Sequence, residues 1–212
     1  MKNAEIFDQN VMEYEAWYKR YPFVFESELE AIRMHFREIP PNSTGIEVGL
    51  GTGRFSKALG IREGVEPSEE MAEKAVSRGI EVMQGFAERL PYKDLHFDFV
   101  VFVTICHLDD VEEALKEANR VLKHKGTLII GLLDAQGEIA GSYAEKRMDS
   151  TFYRYARFWS VKELHDLIKA TGFKDLSYYQ TLFGGLDEIQ KVQMPKEGHG
   201  EGSFVVVRAI KK

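Results

Sequence analysis

The run from Ile46 to Phe55, IEVGLGTGRF, constrains the fold more than any other part of the chain. Its apolar start is typical of a buried strand, and glycines at positions 49, 51 and 53 then break that strand before a helix begins. Glycine suits such a turn because it has no Cβ to forbid a positive φ or to keep a ligand away from the backbone. Backbone N–H groups beside a helix N-terminus attract anionic or polar groups. The run therefore predicts a site for a nucleotide-like cofactor.

Length, charge and cysteine content limit the classes of protein that this chain fits. It has 212 residues, a net charge of −6 and one cysteine, Cys106. The negative charge argues against nucleic acid or an anionic membrane as the main partner. One cysteine allows no internal disulfide, and the longest apolar run, Phe99–Cys106, is too short to span a bilayer. We expect a cytoplasmic, single-domain protein, a monomer or homodimer, without a nucleic-acid or membrane partner.

Strand and helix signals alternate between residues 44 and 133. Apolar runs predict strands at Gly45–Val48, Gly64–Val65, Ile80–Met83, Phe97–Val103 and Thr127–Leu133. Apolar spacings of three and four predict a helix over Val111–Lys123, with Asp109 or Asp110 as its N-cap. This alternation predicts a mostly parallel sheet with helices on both faces, which binds ligands at the carboxyl ends of its strands.

The C-terminal part of the chain has a different pattern. A helix is expected from Ser160, where Glu163 completes a capping box, to Gly172. Two strand-like runs follow, Phe173–Phe183 and Ser203–Ile210, and a loop rather than a clear helix joins them. We therefore expect an antiparallel hairpin at the end of the sheet.

A second acidic residue, Glu66, stands where the next predicted strand ends, in the run GVEPS. A carboxylate at that place can accept hydrogen bonds from both hydroxyls of a ribose. NAD-dependent enzymes also use a glycine turn, but their fingerprint is G-x-G-x-x-G/A. Here Arg54 follows Gly53, so the third glycine is not in register.

At this point the chain resembles the class I S-adenosylmethionine-dependent methyltransferases, and within them the small-molecule branch that includes quinone-biosynthesis-like enzymes. Five segments carry the resemblance: the first motif Ile46–Gly53, the ribose-binding motif Gly64–Ser68, the adenine-binding segment Gly85–Pro91, the fourth strand and active-site loop Phe97–Leu108, and the turn Arg120–Leu128. The resemblance implies a Rossmann-like, doubly wound α/β fold with a seven-stranded, mostly parallel sheet and a C-terminal antiparallel β-hairpin. It also implies S-adenosylmethionine as cofactor and methyl transfer to N or O of a small-molecule acceptor.

Two departures from the family pattern stand out. The segment between Gly53 and Glu66 is about one helical turn short, so the first core helix should be stubby. Phe86 stands where the adenine segment usually has an acid. The backbone N–H of Ala87, or the side chain of Glu88, would then serve the adenine instead.

The residue pattern and the resemblance together give a set of cofactor-binding candidates, in which Tyr14 and Trp17 come from the aromatic N-terminus rather than from the family. The candidates are Tyr14, Trp17, Glu47, Gly49, Gly51, Gly53, Glu66, Pro67, Ala87, Glu88 and Thr104. Glu47 would either bind the ammonium end of the cofactor through water or hold the N–H groups of the glycine turn. No histidine has metal-ligand spacing with supporting carboxylates or thiols, so we expect no metal.

Two residues are candidates for catalysis. His107 resembles a position on the loop after strand four that faces the cofactor methyl, where it would act as a general base or merely pack beside the cofactor. Asp134, just past strand five, would either orient an acceptor amine or cap the next helix.

Two segments are expected to cover the site. We divide the chain into an N-terminal helical lid (1–40), a cofactor-binding core (41–134), a lid insert (135–158) and a helix plus terminal hairpin (159–212). The N-terminal segment concentrates aromatic residues, Tyr14, Trp17, Tyr18 and Tyr21, which would offer ring faces to a sulfonium or pack a surface helix onto the sheet. The insert combines Tyr143 and Tyr153 with Arg147, Arg154 and Arg157. It would select an anionic or aromatic acceptor, or form a solvated helix face or a dimer contact.

Two other functions compete with a methyltransferase. One is an NAD-dependent oxidoreductase on a doubly wound sheet, against which Arg54 and the terminal hairpin argue. The other is a non-catalytic S-adenosylmethionine-binding protein, which the missing adenine-side acid favours.

Overall fold

The structure is a computed structural model that describes residues 2–212. Its α-helices are α1 (Lys2–Gln9), α2 (Val11–Arg20), α3 (Pro22–Phe36), α4 (Arg54–Leu59), α5 (Glu69–Ser77), α6 (Val111–Val121), α7 (Glu138–Glu145) and α8 (Val161–Ala170). Its strands are β1 (Gly45–Val48), β2 (Glu63–Glu66), β3 (Glu81–Gln84), β4 (Phe97–Val103), β5 (Leu122–Leu133), β6 (Phe173–Thr181), β7 (Lys196–Glu197) and β8 (Phe204–Lys211). Short 3-10 helices lie at Ile105–His107, Arg147–Asp149, Tyr153–Tyr155 and Leu186–Glu188.

All eight strands form one sheet in the order β3-β2-β1-β4-β5-β8-β6-β7. The strands β1 to β5 pair in parallel, whereas β8 is antiparallel to both β5 and β6. This confirms the Rossmann-like α/β fold and the antiparallel C-terminal pair. The pair is not a simple addition at the sheet edge, because β8 enters between β5 and β6.

The strand count differs from the expected seven by one short element. β7 has two residues and pairs with β6 through Tyr179 and Gln180. It falls in the glycine-rich segment that we expected to be only a loop. Two polar, exposed residues carry no period-two hydrophobic pattern, so the sequence gives no sign of this strand.

Helices cover both faces of the sheet. Successive residues of β4 point to opposite faces, so Val100 and Phe102 pack with α6 and α8 while Val101 and Val103 face α3. The N-caps of α6 and α8 are as expected: Asp110 accepts from the N–H of Glu113, and Ser160 forms a capping box with Glu163. α4 has only six residues, which confirms the stubby first core helix.

The proposed N-terminal lid contains two different parts. α3 packs against the sheet, and its Leu29, Ala31 and Ile32 are buried in the same core cluster as Val101 of β4. Of the segment 1–40, therefore, α3 belongs to this layer, and Trp17 and Tyr18 of α2 pack against it. The division into lids and core otherwise stays a prediction.

In the part of the chain from residue 2 onward, no helix is long and apolar enough to cross a membrane.

Candidate active site

A cavity of about 160 Å³ lies at the carboxyl ends of β1, β2 and β4. β1 has β2 on one side and β4 on the other, so the strand order reverses there, and open α/β sheets bind ligands at such a point. Most of the predicted site residues line this cavity: Tyr14, Trp17, Gly49, Gly51, Glu66, Pro67, Ala87, Glu88, Thr104 and His107. Glu47, Gly53 and Asp134 do not.

The glycine turn leaves open space beside its backbone. Gly49, Gly51 and Gly53 have φ values of 69°, 56° and 73°, which L side chains rarely adopt. A Cβ built on Gly49 would meet no atom within 4 Å. A Cβ on Gly53 would instead lie 3.0 Å from the Cβ of Ala75. Gly49 therefore opens the backbone to a ligand, whereas Gly53 permits close packing at the start of α4.

Glu66 lies at the end of β2 and is 5% exposed. Its Oε2 accepts a hydrogen bond from the N–H of Gly51 at 2.8 Å, and its Oε1 accepts one from the N–H of Ser68 at 3.0 Å. Burial raises the pKa of this carboxyl to about 7. Each oxygen keeps a second lone pair, so the carboxylate can still accept hydrogen bonds from a diol.

Of the two roles expected of Glu47, contact with the ammonium end of the cofactor stays a prediction, and the hold on the glycine turn is not seen. Glu47 is 1% exposed, and the Ser56 hydroxyl donates to its Oε2 at 2.5 Å. It lies on a small recess beside the cavity, and burial raises its pKa to about 8. The N–H groups of the glycine turn are held by Glu66 and by the carbonyl of Val65, not by Glu47.

The adenine-side segment places Phe86, Ala87 and Glu88 together on the cavity wall. Glu88 Oε1 accepts from the N–H groups of Asp109 and Asp110, each at 3.1 Å. Glu88 thus connects this segment to the start of α6. The ring of Phe86 offers an apolar surface where the family pattern has an acid.

His107 lies between the two segments expected to be lids. Its ring meets Phe7 of α1 edge-on, with centroids 4.9 Å apart, and Tyr153 of the insert with centroids 5.4 Å apart. Burial lowers the pKa of His107 to about 4, so the imidazole is neutral at pH 7. The short 3-10 helix that carries it begins after Thr104, whose φ of 58° is strained for a β-branched residue.

Asp134 lies outside the cavity. It is 4% exposed, and its Oδ1 accepts from the N–H of Gln136 at 3.2 Å. Its own N–H donates to the carbonyl of Ser203 at 2.9 Å. These contacts hold Asp134 in the local turn before α7, and none of them places its carboxylate beside an acceptor. A role toward the acceptor stays a prediction that none of these contacts supports.

α1 is attached to the start of α5. Asp8 Oδ1 accepts from the Ser68 hydroxyl at 2.8 Å and from the N–H of Glu70 at 3.0 Å. These hydrogen bonds, and the favourable place of an acid at a helix N-terminus, lower the pKa of Asp8. The attachment is next to Glu66, on the same side of the cavity.

The N-terminal helices and the insert meet over the cavity. Phe7 stacks on Phe152 with ring centroids 5.1 Å apart. The Thr151 hydroxyl donates to Glu13 Oε1 at 3.1 Å. Aromatic residues of both segments therefore line the same cavity, and their role as lids stays a prediction.

Glu15 of α2 was not predicted from the sequence. Its carboxylate accepts from Arg54 Nη2 at 2.5 Å, from Arg78 Nη2 at 2.7 Å and from the Thr52 hydroxyl at 2.6 Å. These partners outweigh the effect of burial and lower its pKa to about 2. Glu15 fastens α2 to the glycine turn, which also explains the arginine that follows Gly53.

Glu28 of α3 was also not predicted. It is 5% exposed and lines the cavity. Among the residues that the structure describes, none donates a hydrogen bond to it or forms an ion pair with it, and burial alone raises its pKa to about 8. Val24, Glu28 and Ile32 follow a spacing of four on the buried face of α3, and that spacing could have identified it.

Two of the three arginines of the insert, Arg147 and Arg157, contact residues outside the cavity lining. Arg147 donates to the carbonyl of Ala156 at 2.6 Å, and the guanidinium of Arg157 lies 3.7 Å from the ring centroid of Trp159. Within the described chain, the cavity lining includes Glu28, Glu66, Glu88 and Asp109 but no lysine or arginine. The lining therefore suits a cation, and the expected preference for an anionic acceptor has no support.

These features fit S-adenosylmethionine. The open backbone at Gly49 leaves room for the cofactor, the buried Glu66 can bind a diol, and the aromatic, acidic lining suits a positive sulfonium. From residue 2 onward, no group of three or more His, Cys, Asp or Glu side chains is arranged so that it could hold a metal ion.

Comparison with known proteins gives the same direction. Residues 46–130 match the family model described as a methyltransferase domain. A solved SAM-dependent methyltransferase from Thermotoga maritima, described as a possible histamine N-methyltransferase, is 45% identical, with a TM-score of 0.93 over 99% of this chain and 100% of that one. An uncharacterised protein of Methanocaldococcus jannaschii is 40% identical over 97% of this chain and 98% of its own length.

A demethylmenaquinone methyltransferase of Bacillus cytotoxicus is 27% identical over 75% of this chain and 71% of its own. The matches decide against an NAD-dependent oxidoreductase and identify the cofactor as S-adenosylmethionine. With its glycine turn and sheet order, the chain belongs to the S-adenosylmethionine-dependent methyltransferases.

Proposed function

We propose that this enzyme methylates N or O of a small-molecule acceptor that is enclosed in the cavity. The observation that carries the proposal is the contact of Phe7 with Phe152, which joins the two covering segments above the opening. A cavity that both segments line and partly cover admits a small molecule more readily than a protein or nucleic-acid chain. The Thermotoga maritima relative, described as a possible histamine N-methyltransferase, supports nitrogen as the accepting atom.

Most residues of this site would bind and orient the cofactor and the acceptor. When bound, S-adenosylmethionine supplies a methyl group that its sulfonium already activates. Glu66 and the glycine turn would hold the cofactor, and the rings of Tyr14 and Trp17 would exclude water. Alignment of the acceptor with the methyl carbon then supplies most of the rate enhancement. His107 is neutral at pH 7 and packs between two rings, so we assign it a packing role in the cavity wall.

Two measurements test this function. Calorimetric titration with S-adenosylhomocysteine should give micromolar binding, with NAD as a control that does not bind. Transfer of a labelled methyl group from S-adenosylmethionine to pooled small amines, phenols and carboxylic acids should then yield a labelled small product. Label found only in added protein or tRNA would contradict a small-molecule acceptor.

A further inference from the structure

We propose that Glu28 binds the amino group of the methyl acceptor and takes its proton, so that the acceptor is a small amine with an apolar or aromatic body. This inference rests on the proposed function, because it names the acceptor class of that same cavity. It assigns the role to a residue outside every motif of the family resemblance.

The cavity has two ends that different elements build. Gly49, Gly51, Glu66, Ala87 and Glu88 lie at the end formed by the glycine turn and the adenine-side segment. The other end is formed by α3, by the last residues of β4 and β5, by the insert and by the segment that follows β6. Its lining residues are Val24, Glu28, Val103, Leu133, Ile139, Tyr143, Tyr153, Leu182 and Leu186. Among these lining residues of the second end, Glu28 is the only one with a carboxyl group.

The surroundings of Glu28 are aromatic and apolar. The hydroxyl-bearing rings that interact electrostatically with it are Tyr14 and Tyr18 of α2, Tyr143 of α7 and Tyr153 of the insert. Tyr143 and Tyr153 stack on each other with centroids 4.1 Å apart. Rings of this kind attract a cation through their faces and accept an apolar or aromatic body through their area.

An unpaired carboxylate inside a protein is costly, because its hydration is lost without a counter-charge, so Glu28 keeps its proton near pH 7 until a counter-charge arrives. Glu47 and Glu66 are also buried, but each has a hydrogen-bond donor in the structure. Glu28 has none within the described chain, and its only route to a counter-charge is the cavity that it lines. An ammonium group supplies that counter-charge, whereas an alcohol supplies only a hydrogen bond and a carboxylate repels.

Methylation of an amine requires its free lone pair, so an ammonium must first lose a proton. The Glu28 carboxylate takes that proton and becomes a carboxylic acid. The C–N bond forms with the nitrogen lone pair as the C–S bond breaks, and the electron pair of that bond stays on sulfur as a neutral thioether. The methylated product leaves as an ammonium, and Glu28 releases its proton to water.

Two other residues are less suited to this step. The imidazole of His107 has a pKa of about 4, too low to take a proton from an ammonium, and Asp134 does not line the cavity. Burial raises the pKa of Glu28 to about 8, which is closer to that of an amine and makes the transfer less uphill.

The test compares amines with matched molecules of other charge. Phenethylamine and histamine are the amine probes, and 2-phenylethanol and 3-phenylpropanoate are the neutral and anionic analogues. Binding is measured by calorimetry on the protein saturated with S-adenosylhomocysteine, so that no turnover is needed. The variants are Glu28→Gln, which keeps the shape, Glu28→Asp, which keeps the charge but shortens the side chain, and Glu26→Gln as the control on the exposed side of the same helix.

We expect at least one amine to bind, its alcohol to bind about tenfold more weakly or worse, and the carboxylate not to bind. Glu28→Gln should weaken amine binding by about tenfold or more, since a charge-assisted contact is lost, whereas Glu26→Gln should leave it unchanged. Partial retention of amine affinity in Glu28→Asp would support a role for the charge of the side chain.

Equal amine affinity in Glu28→Gln, or preference for the alcohol or carboxylate, would overturn the proposal. If no amine binds while labelled methyl reaches another small acceptor, this inference fails and the proposed function stands. If methyl reaches no small molecule, the proposed function itself fails.

Discussion

Buried carboxyl groups surround the cavity, and their partners separate the roles that they can play. Glu15 neutralises Arg54 and Arg78, and its pKa falls to about 2. Glu66 holds two backbone N–H groups, and Glu28 faces the cavity without a partner among the described residues. The three glutamates therefore differ in their roles. Glu15 forms ion pairs, Glu66 accepts hydrogen bonds from the backbone, and the carboxyl group of Glu28 is open to the cavity.

The sequence predicts Glu66 as a ribose ligand at the sheet edge but not its hydrogen bonds to the backbone, and it predicts neither Glu15 nor Glu28. Glu66 is the last residue of a strand and precedes a helix start, so its place at the sheet edge can be derived from local pattern alone. Glu15 and Glu28 lie on helices whose docking brings them to the glycine turn and the cavity, 39 residues from Arg54 in the case of Glu15. Local pattern says only that each shares a face with buried residues, and not what that face meets.

Substitution of Glu66 tests the ribose contact. Glu66→Ala should weaken binding of 5′-methylthioadenosine by about tenfold or more, because one acceptor of charge-assisted hydrogen bonds is lost. The exposed residue Glu81 on the neighbouring strand provides the control variant, Glu81→Ala, which should bind as the wild type does. Both affinities are measured by calorimetry.

The 2′-deoxy form of the same ligand distinguishes direct from indirect action. It lacks one hydroxyl, so its affinity should fall less on Glu66→Ala than that of the parent ligand. An equal loss for both ligands would mean that Glu66 acts only by holding Gly51 and Ser68 in place.

At the scale of elements, hydrophobic periodicity and capping residues predict individual strands and helix ends. They do not predict which segments meet beside the site. The strands β1 and β4 and the caps of α6 and α8 follow from pattern, because each depends on a few adjacent residues. The insertion of β8 between β5 and β6 depends on strand pairing across the sheet. The hydrophobic pattern of β6 or β8 alone would equally allow that strand to lie at the sheet edge. For the same reason, the meeting of α1 with the insert through Phe7 and Phe152 has no local signal.

The attachment of α2 to the glycine turn gives an element-scale prediction. Glu15→Ala should lower the free energy of unfolding by about 2–4 kcal/mol, because two buried or half-buried arginines lose their shared counter-charge. Urea unfolding followed by circular dichroism measures the change. Glu5→Ala, at an exposed position of α1, should change it by less than about 0.5 kcal/mol.

A loss below about 1 kcal/mol for Glu15→Ala would show that water replaces the contact and that α2 is held mainly by its aromatic residues. In that case affinity for S-adenosylhomocysteine should also be unchanged, since Thr52 of the glycine turn would keep its place.

For the whole molecule, the titratable groups of the cavity link stability to pH. Burial raises the pKa of Glu28 and Glu47 to about 8 and that of Glu66 to about 7, against an unfolded value of about 4.3. The folded state therefore keeps protons that the unfolded state releases, so this contribution is full below about pH 4.3 and is lost as pH rises through 7 and 8. His35 and His107 act in the opposite sense, since burial lowers their pKa to about 4, but their contribution is complete above about pH 6.5.

Above pH 6.5, therefore, only the carboxyl groups among these five still change, and stability should fall. We expect the Tm of the ligand-free protein to drop by roughly 5–10 °C between pH 6.5 and pH 8, since each kcal/mol shifts Tm by about 2–4 °C in a chain of this size. Glu28→Gln should reduce that drop by about a third, because an amide does not ionise, and Glu26→Gln on the same helix should not reduce it. Circular dichroism melts at constant ionic strength measure both.

A Tm that is flat or rising over this range would mean that the carboxyl groups ionise in the folded state near their ordinary pKa. Water would then reach these side chains more freely than their burial implies. Because Glu28→Gln removes the same proton that an acceptor amine would share, its flatter pH profile and its weaker amine binding should appear together.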